Sequence, residues 1–483
     1  MDRNYDLIRQ AEEMFKKYKD VVNEDEYRLH FHLMPPVGLL NDPNGFIQWQ
    51  GRYHLFYQWN PFQTAHGAKF WGHYSSSNLV DWRKEKIALA PSEWYEKNGC
   101  YSGSAVEDNG ILKLLYTGNV KDEYGNRETY QCLAESENGV DFIKKGVVLR
   151  LPEGYSAHFR DPKVWKRNEK WFMVIGAQTK QLEGRAVLFA SNNLEDWTLI
   201  GDVAGTNLNG LQNFGYMWEC PDLFRLGDND ILLVSPQGLQ RTGMLYQNVY
   251  NTGYFIGTLD YETGKLEHGN FQELDRGFEF YAPQTTVDEK GRRLLFGWMG
   301  VPEQDEDLHP TISHHWIHAM TIPRELKLVN GQIYQNPVEE LKKLRRNKVS
   351  KNNAIVHEEK KTFASFEGTA YELLINIHEI KAEAFEIILK DSVWIIYNKK
   401  ECVFTLERKS MKTGEPEIRQ CKLSNLSIIQ IFVDTSSIEI FLNDGQEVFT
   451  SRMFPSVKNP NITFGSYHGK VLCSIQKWDL HQQ

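Results

Sequence analysis

Apolar and aromatic residues in this chain come in short bursts. The runs "GRYHLFYQW" (51–59), "GILKLLYTG" (110–118), "EKWFMVIGA" (169–177), "NDILLVSPQ" (229–237) and "GRRLLFGWM" (291–299) are bounded by Gly or charge and rich in β-branched and aromatic residues. That pattern predicts strands. A short polar turn separates each run from a preceding motif: "NDPNGF", "YSGSAV", "RDPKVW", "ECPDLF" and "YAPQTT". Aligned on their third residues, Pro43, Gly103, Pro162, Pro221 and Pro283, these motifs recur at intervals of 60, 59, 59 and 62 residues. A later element keeps the same register in "SSSNLVDW", "SENGVDF", "SNNLEDW" and, more loosely, "IGTLDY", marked by Asp81, Asp141, Asp196 and Asp260. A multi-stranded unit repeated five times predicts a five-bladed β-propeller, expected over residues 29–335. The period exceeds that of the common blades, so long loops are expected on one rim, where they build a pocket.

The pattern differs on either side of the repeat. Leu7, Ile8, Ala11, Phe15 and Tyr18 recur at helical spacing, which predicts a short amphipathic helix in an N-terminal extension over 1–28 that packs on the body of the protein. "NPVEELKKLRRNK" reads as a helical linker over 336–350, with Pro337 at a favoured early position and Val338, Leu341 and Leu344 on one face. Alternating strands follow, as in "SIEIFLNDGQEVFTSRMF", where Asn443-Asp444-Gly445 signals a hairpin turn. This predicts a separate β-sandwich over 351–483 and an all-β chain overall. Asp434 and Glu439 are expected on its solvent side.

The 483 residues, 41% hydrophobic and 25% charged, describe a globular protein of more than one domain. A net charge of -9 argues against a nucleic-acid partner. No apolar run is long enough to span a bilayer, which argues against a membrane role. The opening "MDRNYDLIRQAEEMFKKYKD" lacks the apolar core of a secretion signal. Six scattered cysteines include no CxxC pair, so a reducing cytoplasm is expected.

The slot before the aligned Pro or Gly carries an acid in some copies only. It holds Asp42 in the first and Asp161 in the third; in the fourth it holds Cys220, with Glu219 one residue earlier, and the second and fifth offer Ser102 and Ala282. Rotation about a propeller axis puts equivalent slots at equal distance from it, so these acids converge. Gathered carboxylates repel and resist ionisation, which turns alone would not require. Either a hard cation or glycoside cleavage by two carboxyl groups would use them. The neighbouring aromatics Phe46, Trp59, Trp71, Trp218 and Trp298 suit a sugar better than a metal shell, and no metal or cofactor is implied. Glu219 is one residue out of register; on a regular strand it would face the other way, and its longer side chain with a local bulge would restore convergence. His314 and His318 in "HHWIHAM" have a spacing found in zinc sites, but with no partner acid they read as structural.

"NDPNG", "RDP" and "ECPD", in this order and spacing, with "YSGS", "FYQWNP" and "IEIFLNDG", resemble glycoside hydrolase family 32, the invertases and related fructosidases. The resemblance covers nearly the whole chain and implies a five-bladed propeller followed by a β-sandwich. It implies Asp42 as nucleophile at a β-fructofuranosyl carbon, Glu219 as general acid and then base, and Asp161 as the holder of sugar hydroxyls. The mechanism would be retaining, with the Asp42 and Glu219 carboxyls roughly 5–5.5 Å apart. Leu39, Leu40, Asn41, Gln58, Trp71, Tyr101, Ser102, Arg160 and Trp298 would contact or line the sugar site. Glu219 would be protonated in the free enzyme, its pKa raised by a less polar setting beside Trp218 and Cys220.

One segment departs from the common invertase pattern. In "NPFQTAHGAKFWGH", His66 stands about where family members often carry an aromatic ring, with Lys69 three residues on. A cationic corner there would favour a phosphate and resembles the bacterial branch of the family that acts on sucrose 6-phosphate inside the cell. The expected partner is therefore a small disaccharide or its phosphate ester. Hydrolysis of fructosyl oligosaccharides, fructosyl transfer, an inverting propeller glycosidase and sugar binding without turnover are the rival readings.

Overall fold

The computed structural model describes residues 3–455 and 459–481, so the extreme ends of the expected extension (1–28) and sandwich (351–483), and residues 456–458 within the latter, lie outside the described residues. Five successive sheets follow the repeat. Blade one is built from Gly38–Trp49, Arg52–Asn60, Phe70–Ser76 and Trp82–Lys84, and blade two from Cys100–Asp108, Ile111–Lys121, Arg127–Ser136 and Ile143–Arg150. Blade three is Tyr155–Arg167, Lys170–Thr179, Gly184–Ser191 and Thr198–Gly205. Blade four begins at Met217–Leu226, followed by Asn229–Gln237, Gly253–Leu259 and Leu266–His268. Blade five is Tyr281–Val287, Arg293–Trp298, Arg324–Val329 and Gln332–Pro337.

Every aligned motif lies on the first strand of its blade. Each first strand neighbours that of the next blade, and that of blade five returns to blade one, closing the ring. The closure includes hydrogen bonding: Trp316–Ile317, from late in the chain, pairs in parallel with Gly38–Leu39. The apolar runs form the second strands. Arg52–Asn60 is buried at every position after its first, as a strand covered on both faces must be.

The Asp-marked element is a repeated turn. The side-chain oxygen of Asn78 accepts the N–H groups of Val80 and Asp81 at 3.0 and 2.8 Å, and its amide donates to Asp81 at 2.7 Å. Asn138 with Asp141 and Asn193 with Asp196 make the same bonds. Such Asx turns substitute side-chain for backbone acceptors. The looser blade-four copy departs, and Asp260 instead accepts from Thr263 at 2.7 Å.

The linker expected to be helical over 336–350 is helical only at Glu339–Leu344, as a 3-10 helix, and a strand of the following sheet already starts at Arg345. The apolar spacing explains the correction: Val338, Leu341 and Leu344 are buried at steps of three, the period of a 3-10 helix rather than an α-helix. Beyond it, two six-stranded sheets face each other around a core that includes Ile375, Leu389, Phe404, Phe464 and Ile475. The predicted hairpin turn joins Ser437–Leu442 to Glu447–Arg452, with Asn443, Asp444 and Gly445 all at positive φ. The N-terminal helix, Arg3–Asn23, buries Ala11 and lays Leu7, Ile8, Phe15 and Tyr18 on the cluster that contains blade one.

Asp434 and Glu439 are not on the solvent side. Both are fully buried where the sandwich meets the propeller and the segment after the N-terminal helix. His32 lies between them, Nδ1 to Asp434 at 2.8 Å and Nε2 to Glu439 at 3.0 Å. Arg324 of blade five donates to Glu439 at 2.6 Å and to Asp275 at 3.1 Å. Burial opposes charge on His32, but the two carboxylates outweigh it and raise its pKa to about 9.

Candidate active site

The first strand of every blade carries one extra residue at its motif. Pairing with the second strand skips between Leu40 and Pro43, Tyr101 and Gly103, Arg160 and Lys163, Glu219 and Asp222, and Tyr281 and Gln284. These are β-bulges, which re-aim side chains. Asp161, Cys220 and Ala282 take positive φ there, at 69°, 46° and 48°, a conformation that non-glycine residues adopt at a cost of roughly 1 kcal/mol or more. The Asp161 backbone is held by its N–H donating to Thr117 at 3.0 Å. The bulge also resolves the register problem of Glu219: both it and the following Cys220 face the same space.

That space is a cavity of about 600 Å³ lined from all five blades. The first motif position, Asn41, Tyr101, Arg160, Glu219 and Tyr281, lines it in every copy. The second position adds Asp42, Ser102, Asp161 and Cys220. Gln58, His66, Lys69 and Trp298 complete the expected residues found there. Leu39 and Leu40 do not line it; they pack in the buried core. Trp71 is also fully buried outside the lining, its indole N–H donating to the Tyr101 carbonyl at 3.1 Å. Phe46, Trp59 and Trp218 likewise belong to core clusters.

The three acids form one connected group. Asp42 accepts from Ser102 at 2.6 Å and from Asn41 at 3.0 Å. Asp161 accepts the Cys220 backbone N–H at 2.9 Å. The Cys220 thiol lies between the two aspartates, 3.7 Å from Asp42 and 3.5 Å from Asp161. Glu219 accepts from Arg160 Nε and Nη2 on one oxygen, at 3.1 and 2.6 Å, and from Gln237 and Tyr281 on the other, at 2.8 and 2.7 Å.

This bonding overturns the raised proton affinity expected of Glu219. Burial would raise the pKa of Glu219, but the charge and bonds of Arg160, with the donors Tyr281 and Gln237, outweigh it and hold the carboxyl below its ordinary value. Trp218 supplies no apolar wall to Glu219: its indole N–H is bonded to Phe214 and its ring stacks on Phe255. Asp161 moves the other way, up to about 7, chiefly by burial and further by the charges of Glu219 and Asp42, against the pull of Arg160. These contacts favour the ionised form of Glu219, whereas burial favours the protonated form of Asp161.

The His66 and Lys69 corner is present, and its charge is already matched. Lys69 Nζ meets His66 Nδ1 at 3.0 Å, and His66 Nε2 meets Glu306 at 3.1 Å. His318 meets the same Glu306 oxygen at 2.8 Å, while His314 faces Asp25, so the two histidines serve different partners. Burial brings the Lys69 amine down to about 7, despite Asp42 and Glu306 nearby.

Tyr281 and Gln237 were missed by reading the motifs for acids alone. Tyr281 was legible: it stands at the same repeat position as Glu219 and Arg160. Gln237, at the end of a second strand, carries no such mark.

Comparison with known proteins matches two family models in tandem, the glycosyl hydrolases family 32 N-terminal domain at residues 32–337 and the family 32 C-terminal domain at 340–479. The chain belongs to glycosyl hydrolase family 32. Among its family-32 relatives is a sucrose-6-phosphate hydrolase of Bacillus subtilis (strain 168), 53% identical with 98% of each chain covered. Another, from Salmonella typhimurium, is 45% identical over 93% of each. Among solved structures, a sucrose-6-phosphate hydrolase of Lactobacillus gasseri superposes with a TM-score of 0.88 at 31% identity, covering 97% of this chain and 96% of the other. A Bombyx mori family-32 β-fructofuranosidase mutant solved with sucrose gives 0.85 at 34% identity, with 98% of each chain covered. The family's architecture is the propeller and sandwich described above, and its members are glycoside hydrolases.

Proposed function

We propose that this chain is a retaining β-fructofuranosidase acting on sucrose 6-phosphate and on sucrose. One observation carries the reading: Asp42, Asp161 and Glu219, from three different blades, line a single sugar-sized cavity, with Cys220 touching both aspartates. Asp42 attacks the anomeric carbon as Glu219 delivers a proton to the glycosidic oxygen, and the glucosyl part leaves as an alcohol. Glu219 then takes a proton from water, whose oxygen bonds the anomeric carbon and frees Asp42. Asp161 binds sugar hydroxyls. Delivery of that first proton requires Glu219 to gain one when substrate enters. Displacement of Arg160 by a sugar hydroxyl would raise its pKa in the needed direction.

Two unpartnered polar atoms support a sugar as the occupant. Asn41 Oδ1 and Trp298 Nε1, in residues that line the cavity, are buried without a hydrogen-bond partner among the described residues, and such groups are costly unless a ligand satisfies them. The activities of the relatives named above agree. A cytoplasmic location is proposed with the phosphorylated substrate, and the six cysteines are free.

The test compares kcat/KM on sucrose, sucrose 6-phosphate and an inulin-type oligomer. Release of fructose with a preference for the phosphate ester is expected; release from none of the three defeats the reading.

A further inference from the structure

The cavity wall is electrically lopsided. On the blade-five side it carries Glu303, and Glu306 lies just behind His66. On the blade-two side it carries Lys121 and Arg127, and no carboxylate lies within ion-pair distance of either among the described residues. These two cations are direct cross-strand partners at the end of the Ile111–Lys121 and Arg127–Ser136 hairpin. Like charges facing each other across an antiparallel ladder are destabilising, and no ion pair among the described residues offsets this one. Two acids of the same hairpin are bonded elsewhere. Asp122 accepts from Tyr124 and Asn126 within the turn, and Glu128 accepts from Tyr130.

The pair faces the cavity. Asn119, two residues before Lys121 on the same face of the strand, also lines it. The Arg127 guanidinium sits over the Tyr101 ring, 5.7 Å from its centre, which fixes the group and leaves its N–H donors unclaimed. Next to it, His158 accepts from Arg160 at 3.1 Å through Nδ1, so its proton is on Nε2. Burial first, then Arg160, Arg127 and Lys121, against the opposing pull of Glu219, bring His158 down to about 4.

We propose that Lys121 and Arg127 hold the phosphate of a 6-phosphorylated glucosyl leaving group, and so set the preference for the phosphate ester over sucrose. The inference rests on the fructosidase reading above. It moves phosphate recognition away from His66 and Lys69, where Glu306 would repel a dianion, to the wall where a dianion relieves an unmatched pair of cations. Bidentate guanidinium and a point-charge ammonium are complementary phosphate donors.

The test measures kcat/KM for sucrose and sucrose 6-phosphate in the wild type, Lys121→Ala, Arg127→Ala and the double variant. It also measures inhibition of sucrose cleavage by glucose 6-phosphate and by inorganic phosphate. The ratio of the two kcat/KM values is expected to fall on the order of tenfold per residue removed, with inhibition by glucose 6-phosphate weakened in parallel. Both side chains are at the surface end of a hairpin, and a melting temperature at or above that of the wild type confirms folding. A wild type that cleaves sucrose without preferring the phosphate ester overturns the inference, as does a ratio that survives the double variant. A wild type inactive on both substrates overturns the underlying reading instead.

Discussion

Arg160 sets two nitrogens on a single oxygen of Glu219, at 3.1 and 2.6 Å, while Tyr281 holds the other oxygen at 2.7 Å. A carboxyl so placed is a poor proton donor until something loosens the grip. Tyr281→Phe removes one donor to the ionised form, so the pKa of Glu219 rises. The basic limb of kcat/KM, which reports loss of the protonated acid in the free enzyme, is expected to move to higher pH by roughly one unit. A limb that stays in place or moves to lower pH removes Tyr281 from the control of Glu219.

Lys69 is buried, bonded to His66 and within the field of Asp42. On the proposed reading it serves the sugar rather than the phosphate. Lys69→Ala is expected to lower kcat/KM for sucrose and for sucrose 6-phosphate by the same factor, roughly tenfold. Steady-state kinetics on the two substrates decide it: a selective loss on the phosphate ester would return phosphate recognition to this corner.

The buried group at the propeller–sandwich seam gives a signature in stability against pH. His32 has its pKa raised to about 9 between Asp434 and Glu439. Its contribution is therefore complete below the ordinary histidine pKa of about 6.5 and is lost as pH climbs through about 9. The two carboxylates are held low; their contribution is present above the usual carboxylate range and is lost in strong acid. His32→Leu leaves both acids without that partner and is expected to cost about 3–5 kcal/mol. Melting temperatures of wild type and variant should differ most near pH 6 and converge towards pH 10. A constant gap across that range contradicts a charged His32.

Much of this was legible in the sequence because a propeller repeats its own register. The spacing of Pro43, Gly103, Pro162, Pro221 and Pro283 located the first strand of every blade, and the partial set of acids pointed to the cavity. Contacts between distant segments were not legible. Nothing in "DTSSIEIF" says that Asp434 and Glu439 meet His32 some 400 residues away, and out of that context they read as solvent-facing. The affinity of Glu219 was misjudged for a similar reason. Its neighbours in sequence, Trp218 and Cys220, suggested an apolar setting, but its neighbours in space are Arg160, Gln237 and Tyr281. Leu39 and Leu40 flank the motif and yet turn into the core, since adjacency along a bulged strand does not set which way a side chain faces.

The central claim is that Asp42 and Glu219 act on one glycosidic bond with a covalent fructosyl intermediate. Turnover of sucrose in the presence of methanol tests it most directly, because the methyl fructoside preserves the configuration in which the sugar leaves the enzyme. NMR of that product should show the β-anomer, and Asp42→Asn and Glu219→Gln should each lower kcat at least about 10²–10⁴-fold. The α-anomer, or near wild-type turnover in either variant, would contradict the account.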